Sequence, residues 1–198
     1  MRWLLIFISS CAFAQKQSCL QIDIVLVGDL SGSVSNNENQ VRNAFSAFVD
    51  RFELSDIGIK IGIVIFGTDA KVMSQLSSDK VALKQKISEI PYASGSTNLK
   101  AGLYEASNML VTNAGMVRRD VPMLIIVVTD GEADDKEGAA YLAEQLQEML
   151  GIGICAIMIE NQSSAETYLK SIASPFCSRT VRGYNNLIEA MKQMDICL

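Results

Sequence analysis

Residues 27 to 35 read VGDLSGSVS, so Asp29, Ser31 and Ser33 alternate just past an apolar run. Along an extended segment that spacing lets both hydroxyls point to one side, beside the carboxylate. Two other segments offer similar donors: Thr97 in Ser94-Gly95-Ser96-Thr97-Asn98, and Asp130 in Thr129-Asp130-Gly131. Asp29, Ser31, Ser33, Thr97 and Asp130 are all hard oxygen donors, a set that suits Mg²⁺ or Mn²⁺. Neutral hydroxyls quench little of an ion's charge. With the carboxylates acting largely through water, the cation stays electron-poor and keeps a position for an outside anion, for which an Asp or Glu of a partner protein is the natural occupant. Neighbouring polar residues have plainer uses. Thr129 orients its loop, Asn98 starts a helix, and Ser35 or Asn36 caps the first helix. Glu132, Asp134 and Asp135 form an acidic rim that opens another helix, where negative charge favours the dipole.

The elements that must carry these residues follow from hydrophobic spacing. Short β-branched runs cover Ile22 to Val27, Ile57 to Phe66, Met123 to Val128, Ile152 to Ile159 and, more weakly, Arg179 to Arg182. Between them, Val41, Phe45, Phe48, Val49 and Phe52 recur on one face of a helix. Similar stretches span Asp79 to Glu89, Leu99 to Ala114, Lys136 to Leu150, Ala165 to Ala173 and Asn185 to Met194. Alternation of strand and helix predicts an α/β fold, a doubly wound and mostly parallel six-stranded sheet with helices on both faces. Lys71 to Gln75 reads as one antiparallel edge strand, joined to its predecessor by the tight Gly67-Thr68-Asp69-Ala70 connection. In the order 3-2-1-4-5-6, the sheet reverses direction between its first and fourth strands, where ligands of such folds bind. Asp29 follows the first strand and Asp130 the fourth, so both carboxylates meet that crevice.

At this point the chain resembles a von Willebrand factor type A domain, a fold shared with integrin inserted domains and many matrix proteins. Asp29-x-Ser31-x-Ser33, Thr97 and Asp130 match that family's metal-ion-dependent adhesion site. The segments DIVLVGDLSGSVS, GIVIFGTDA, SGSTNLKAGL, VVTDGEADD and GIGICAIMIE fall in the family's order. The resemblance covers roughly Ile22 to Met194. It implies that Ser31, Ser33 and Thr97 bind the ion directly in at least one state, and Asp29 and Asp130 directly or through water. Leu30 is bulkier than the Gly or Ser often found there, which alters the rim. In adhesive members the last helix shifts to tune the site.

The ends of the chain carry their own signals. MRWLLIFISSCAFAQ has Arg2, an apolar core and an Ala12-Phe13-Ala14 terminus, the pattern of a secretory signal peptide over residues 1–14. Acylation at Cys11 is an alternative use of the same leader. Residues 15–198 then form a single domain, secreted and extracellular. Cys19 and Cys197 are the candidate disulfide, tying together the two edges of that domain and restraining the last helix. Cys155, inside an apolar run, reads as a small buried hydrophobe, and Cys177 is unassigned. Asn161-Gln162-Ser163 is a glycosylation sequon, with Asn161 as the acceptor.

Composition removes several functions. The chain of 198 residues has a net charge of −5 and no histidine. A nucleic-acid partner lacks its basic patch, and neither histidine-based nucleophilic catalysis nor a His-ligated zinc site can be built. Gly151-Ile152-Gly153-Ile154-Cys155-Ala156 fits a dinucleotide fingerprint but leads into a strand, so its amides are not placed for a pyrophosphate. The expectation is a non-enzymatic adhesion module that captures an acidic residue through its cation. A structural matrix-assembly domain with incidental metal is the alternative, and a Mg²⁺-dependent hydrolase with Glu132 as base is a more remote one.

Overall fold

The computed structural model describes residues 21–112, 118, 121–131, 133–160 and 165–194. The leader, Cys19, Glu132, Asn161 and Cys197 lie outside the described residues. Six strands form one sheet: β1 (Ile22–Asp29), β2 (Ile59–Phe66), β3 (Ala70–Ser77), β4 (Met123–Thr129), β5 (Gly153–Glu160) and β6 (Ser178–Arg182). Their order is β3-β2-β1-β4-β5-β6, with every neighbouring pair parallel except β2 and β3. This is the doubly wound arrangement expected from the alternation of strands and helices.

The central strands are buried on both faces, as parallel strands covered by crossover helices must be. Along β1, Ile24 and Leu26 pack into one core and Val25 and Val27 into the other. The first core is closed by α1 (Glu38–Asp50), α2 (Lys80–Ser88) and α6 (Leu187–Gln193). The second is closed by α3 (Leu99–Thr112), α4 (Lys136–Leu150) and α5 (Ala165–Ile172). On α1 the periodic residues Val41, Phe45, Phe48 and Val49 all face inward and are fully buried. The α3 helix approaches the sheet closely at Gly102, where an added Cβ would stand 2.9 Å from Phe66 Cδ1 and 3.1 Å from Val27 Cγ1. That closeness sets the height at which Thr97, just before the helix, reaches the sheet edge.

Three local expectations are corrected. The first helix is not capped by Ser35 or Asn36. A 3-10 turn over Gly32–Val34 intervenes, Asn36 takes a left-handed φ of 72°, and the helix begins at Glu38 after Asn37. Asn adopts that conformation more readily than most residues because its short polar side chain is able to hydrogen-bond locally. The second strand starts at Ile59, not Ile57; Ile57 lies in a turn closed by Gly58 N–H donating to Ser55 O at 3.1 Å, and its side chain is exposed. Cys155 is buried in β5 but is not a lone hydrophobe, since it forms a disulfide with Cys177. An apolar run conceals a cystine because a half-cystine buries as well as an aliphatic side chain.

Candidate metal centre

The parallel register of β1 and β4 pairs Gly28 with Val128, so the two strands end side by side. Asp29 and Thr129, the next residue of each, meet at that edge. The Thr129 hydroxyl donates to Asp29 Oδ2 at 2.6 Å, and the Ser31 amide donates to Asp29 Oδ1 at 2.8 Å. Asp29 is 1% exposed. Burial is the main cause that raises its carboxyl above the usual aspartate value; the hydrogen bonds from Thr129 and Ser31 offset part of this, and the nearby charge of Asp130 adds to it. Such a carboxylate, taken from water beside a second negative group, gains by the approach of a cation.

Above Asp29 the donors become accessible. Ser31 is buried, while Ser33, two residues on, is exposed, and the two hydroxyl oxygens stand 3.0 Å apart. The Ser33 hydroxyl donates to Asp130 Oδ1 at 2.6 Å. Asp29, Ser31, Ser33 and Asp130 are therefore joined in one polar network across the β1–β4 edge. Thr97 reaches the same edge through its loop rather than through a direct bond to that network. Gly32 N–H donates to Gly95 O at 3.0 Å, Ser94 N–H to Leu30 O at 2.8 Å, and Asn98 N–H to Gly67 O at 2.9 Å. Gly95 has a left-handed φ of 86° and its position faces Thr68, so a side chain there would collide with that residue. Leu30, bulky for its place, is buried and joins the core, not the rim.

The surrounding polar residues divide as their chemistry suggests. Asn98 Oδ1 accepts from Ala101 N–H at 3.1 Å, a helix-start contact. Asp135 flanks α4 and accepts from Gly138 N–H at 2.8 Å. Asp134 does more than form a rim: its Oδ2 accepts from Thr97 N–H at 2.9 Å, and its own amide donates to Thr97 O at 3.1 Å. Sequence reading missed this brace, and it also missed Tyr184. The Tyr184 hydroxyl, from the 3-10 turn Tyr184–Asn186 between β6 and α6, donates to Asp130 Oδ2 at 2.6 Å. Burial, followed by this bond to a carboxylate, pushes the phenol far above its ordinary value and keeps it a neutral donor. No local motif marks either residue. Only the loop-end positions of Asp134 and Tyr184 hinted at them.

The donor set fits a hard divalent ion: two carboxylates and three hydroxyls, with no sulfur or nitrogen among them. Among the described residues no three His, Cys, Asp or Glu side chains gather into a metal-holding group. Any ion here would depend on hydroxyls as much as on charge.

A sequence profile of the von Willebrand factor type A domain matches residues 23–192. The chain belongs to this family. Relatives of this von Willebrand factor type A domain include the collagen alpha-1(XII) chain of Notophthalmus viridescens, 31% identical over 161 residues that make up 78% of this chain and 16% of the collagen. The human collagen alpha-5(VI) chain is 26% identical over 154 residues, 75% of this chain and 6% of that one. The domain thus spans a small part of the collagens it matches. Among solved structures, proximal thread matrix protein 1 from the mussel byssus, with a zinc-occupied metal-ion-dependent adhesion site, superposes with a TM-score of 0.75 at 26% identity, covering 88% of this chain and 45% of that one. Manganese-loaded TRAP protein of Plasmodium vivax shares the fold, with a TM-score of 0.71 at 22% identity over 88% of this chain and 73% of that one.

Proposed function

We propose that this von Willebrand factor type A domain is an extracellular protein-binding module that holds a divalent cation at Asp29, Ser31, Ser33, Thr97 and Asp130. Through that cation it captures an Asp or Glu of a protein partner in adhesion or matrix assembly. The observation that carries the reading is the hydroxyl-rich network at the β1–β4 edge, built over a buried carboxylate. Asp29 and Asp130 supply charge, Ser31, Ser33 and Thr97 supply neutral oxygens, and Thr129 and Asp134 hold Asp29 and the Thr97 loop in place. The bound cation would supply a Lewis-acidic point for a carboxylate. Mg²⁺ is the ion we assign, with Mn²⁺ as its substitute, while the byssus relative with its occupied site supports divalent binding in general. Secretion, with removal of residues 1–14, accords with collagen relatives and with the Cys155–Cys177 disulfide, since such bridges persist in oxidising compartments. No helix among the described residues is long and apolar enough to cross a membrane.

The test is the thermal midpoint of the chain in EDTA and then in Mg²⁺ or Mn²⁺, for the native sequence and for Asp29→Ala. Ligand that binds only the folded state adds about 2.7 kcal/mol to its stability by mass action when the ion stands at one hundred times its dissociation constant, and so raises the midpoint. A rise in the native chain that disappears in the variant supports the cation site. Equal midpoints under every condition would remove the metal from the account. They would favour a second reading, suggested by the likeness to a thread matrix protein, in which the domain assembles through its faces.

A further inference from the structure

Asp130 is held from two directions. Ser33 donates to Oδ1 at 2.6 Å, and Tyr184 donates to Oδ2 at 2.6 Å. Tyr184 is 8% exposed and packs in the core that α6 closes, so its hydroxyl is fixed by the packing of its ring. A Ser33 hydroxyl whose proton is committed to Asp130 has only lone pairs left to offer, which is what a cation requires of it. A carboxylate oxygen that already accepts a phenol proton is, for its part, a poorer direct ligand.

We infer that Tyr184 is a positioning residue of the cation site: by holding Asp130 Oδ2 it keeps this carboxylate one hydrogen bond away from the ion. Asp130 then orients Ser33 and balances charge without occupying a coordination position. The ion stays electron-poor, and the position is left to a partner's carboxylate. The inference rests on the cation reading given under Proposed function. It adds the device that reserves a place for the partner, and it links that place to the β6–α6 connection.

Tyr184→Phe keeps the ring and removes only the hydroxyl. Native chain, Tyr184→Phe and Asp29→Ala are titrated with Mn²⁺ by calorimetry, water protons on the bound ion are counted by relaxation enhancement, and the midpoint in EDTA reports the fold. Freed from Tyr184, Asp130 moves onto the ion. The expected result is Mn²⁺ affinity several-fold higher than native, about one exchangeable water fewer on the ion, and weaker binding of acetate as a stand-in for the partner's carboxylate. Unchanged or weaker Mn²⁺ affinity with an unchanged water count overturns the inference. Asp130→Asn gives an independent reading that leaves Tyr184 in place: an Asp130 that does not touch the ion predicts the native water count, and a gained water overturns the proposal. If the native chain binds Mn²⁺ and Asp29→Ala does not, a failure at Tyr184 sinks this inference alone. If the native chain binds no Mn²⁺, the cation reading falls and takes this one with it.

Discussion

At the scale of single residues, the cost of building the site is concentrated on Asp29. Its Oδ2 lies in a buried setting with the Thr129 hydroxyl as donor. Thr129→Val keeps the shape and removes the donor, leaving a buried carboxylate oxygen unsatisfied. Such a loss costs about 1–3 kcal/mol, and denaturant unfolding in EDTA should show it, with Thr129→Ser restoring most of the difference. The raised carboxyl also sets a direction with pH. In the metal-free protein the folded chain holds the Asp29 proton more tightly than the unfolded chain does, so this group stabilises the fold at acid pH and the contribution is lost as pH rises through the folded value. A cation competes with that proton. The midpoint gain from saturating Mn²⁺ should therefore be larger at neutral pH than in the acid range, and a gain that is flat with pH would place the ion away from Asp29. Asp29, Ser31 and Ser33 were legible in the sequence because alternation along one segment puts them together. Tyr184 and Asp134 were not, because each acts on a residue from a distant part of the chain, and no spacing encodes that pairing.

At the scale of elements, the loop that carries Thr97 is fixed at both ends. Its upstream part is tied to α1: Glu38 Oε1 accepts from Ala93 N–H at 3.0 Å. That backbone hydrogen bond is the leading reason the Glu38 carboxyl lies below its usual value. The lowered value means that Glu38 contributes stability above the unfolded value of 4.5, lost as pH falls through the folded one. Glu38→Gln should lower stability at neutral pH and flatten that part of the acid limb of an unfolding profile, leaving the two proteins closer in stability in acid. Downstream, α3 depends on Gly102 to reach the sheet. Gly102→Leu would drive a branched chain into Phe66 and Val27 and should cost about 1–3 kcal/mol or more, with a weakened cation response because Thr97 is displaced along with the helix. Helix positions were legible because their apolar faces repeat with the helical period; α4 in particular spans the expected Lys136–Leu150. The start of α1 was not, since Ser35, Asn36 and Asn37 are all chemically able to cap a helix and only the preceding 3-10 turn decides among them.

At the scale of the whole molecule, strand order was legible because crossover helices covering both faces leave few ways to arrange a parallel sheet. The covalent link was not. Cys155 looked like one more aliphatic residue in β5, and nothing in the sequence near Cys177 identified its partner. The bridge joins β5 to the segment that leads into β6, where Ala156 N–H also donates to Cys177 O at 2.9 Å. It encloses α5, with a sequence separation of 22 residues. A closed loop of that length restricts the unfolded chain by roughly 3 kcal/mol on the entropic account. Replacing both cysteines by Ala should lower unfolding free energy by about that amount or more, because the half-cystine at 155 also fills space between the sheet and the helices above it. The bridge lies toward the opposite end of β5 from the candidate centre, since β5 runs parallel to β4 and Cys155 is early in it. The Mn²⁺ affinity of the double variant should thus stay at its native value while its midpoint falls. Calorimetry and thermal unfolding on the same sample separate the two effects. A parallel loss of Mn²⁺ affinity would mean that the β5–β6 connection, and through it the turn bearing Tyr184, depends on the bridge for its position.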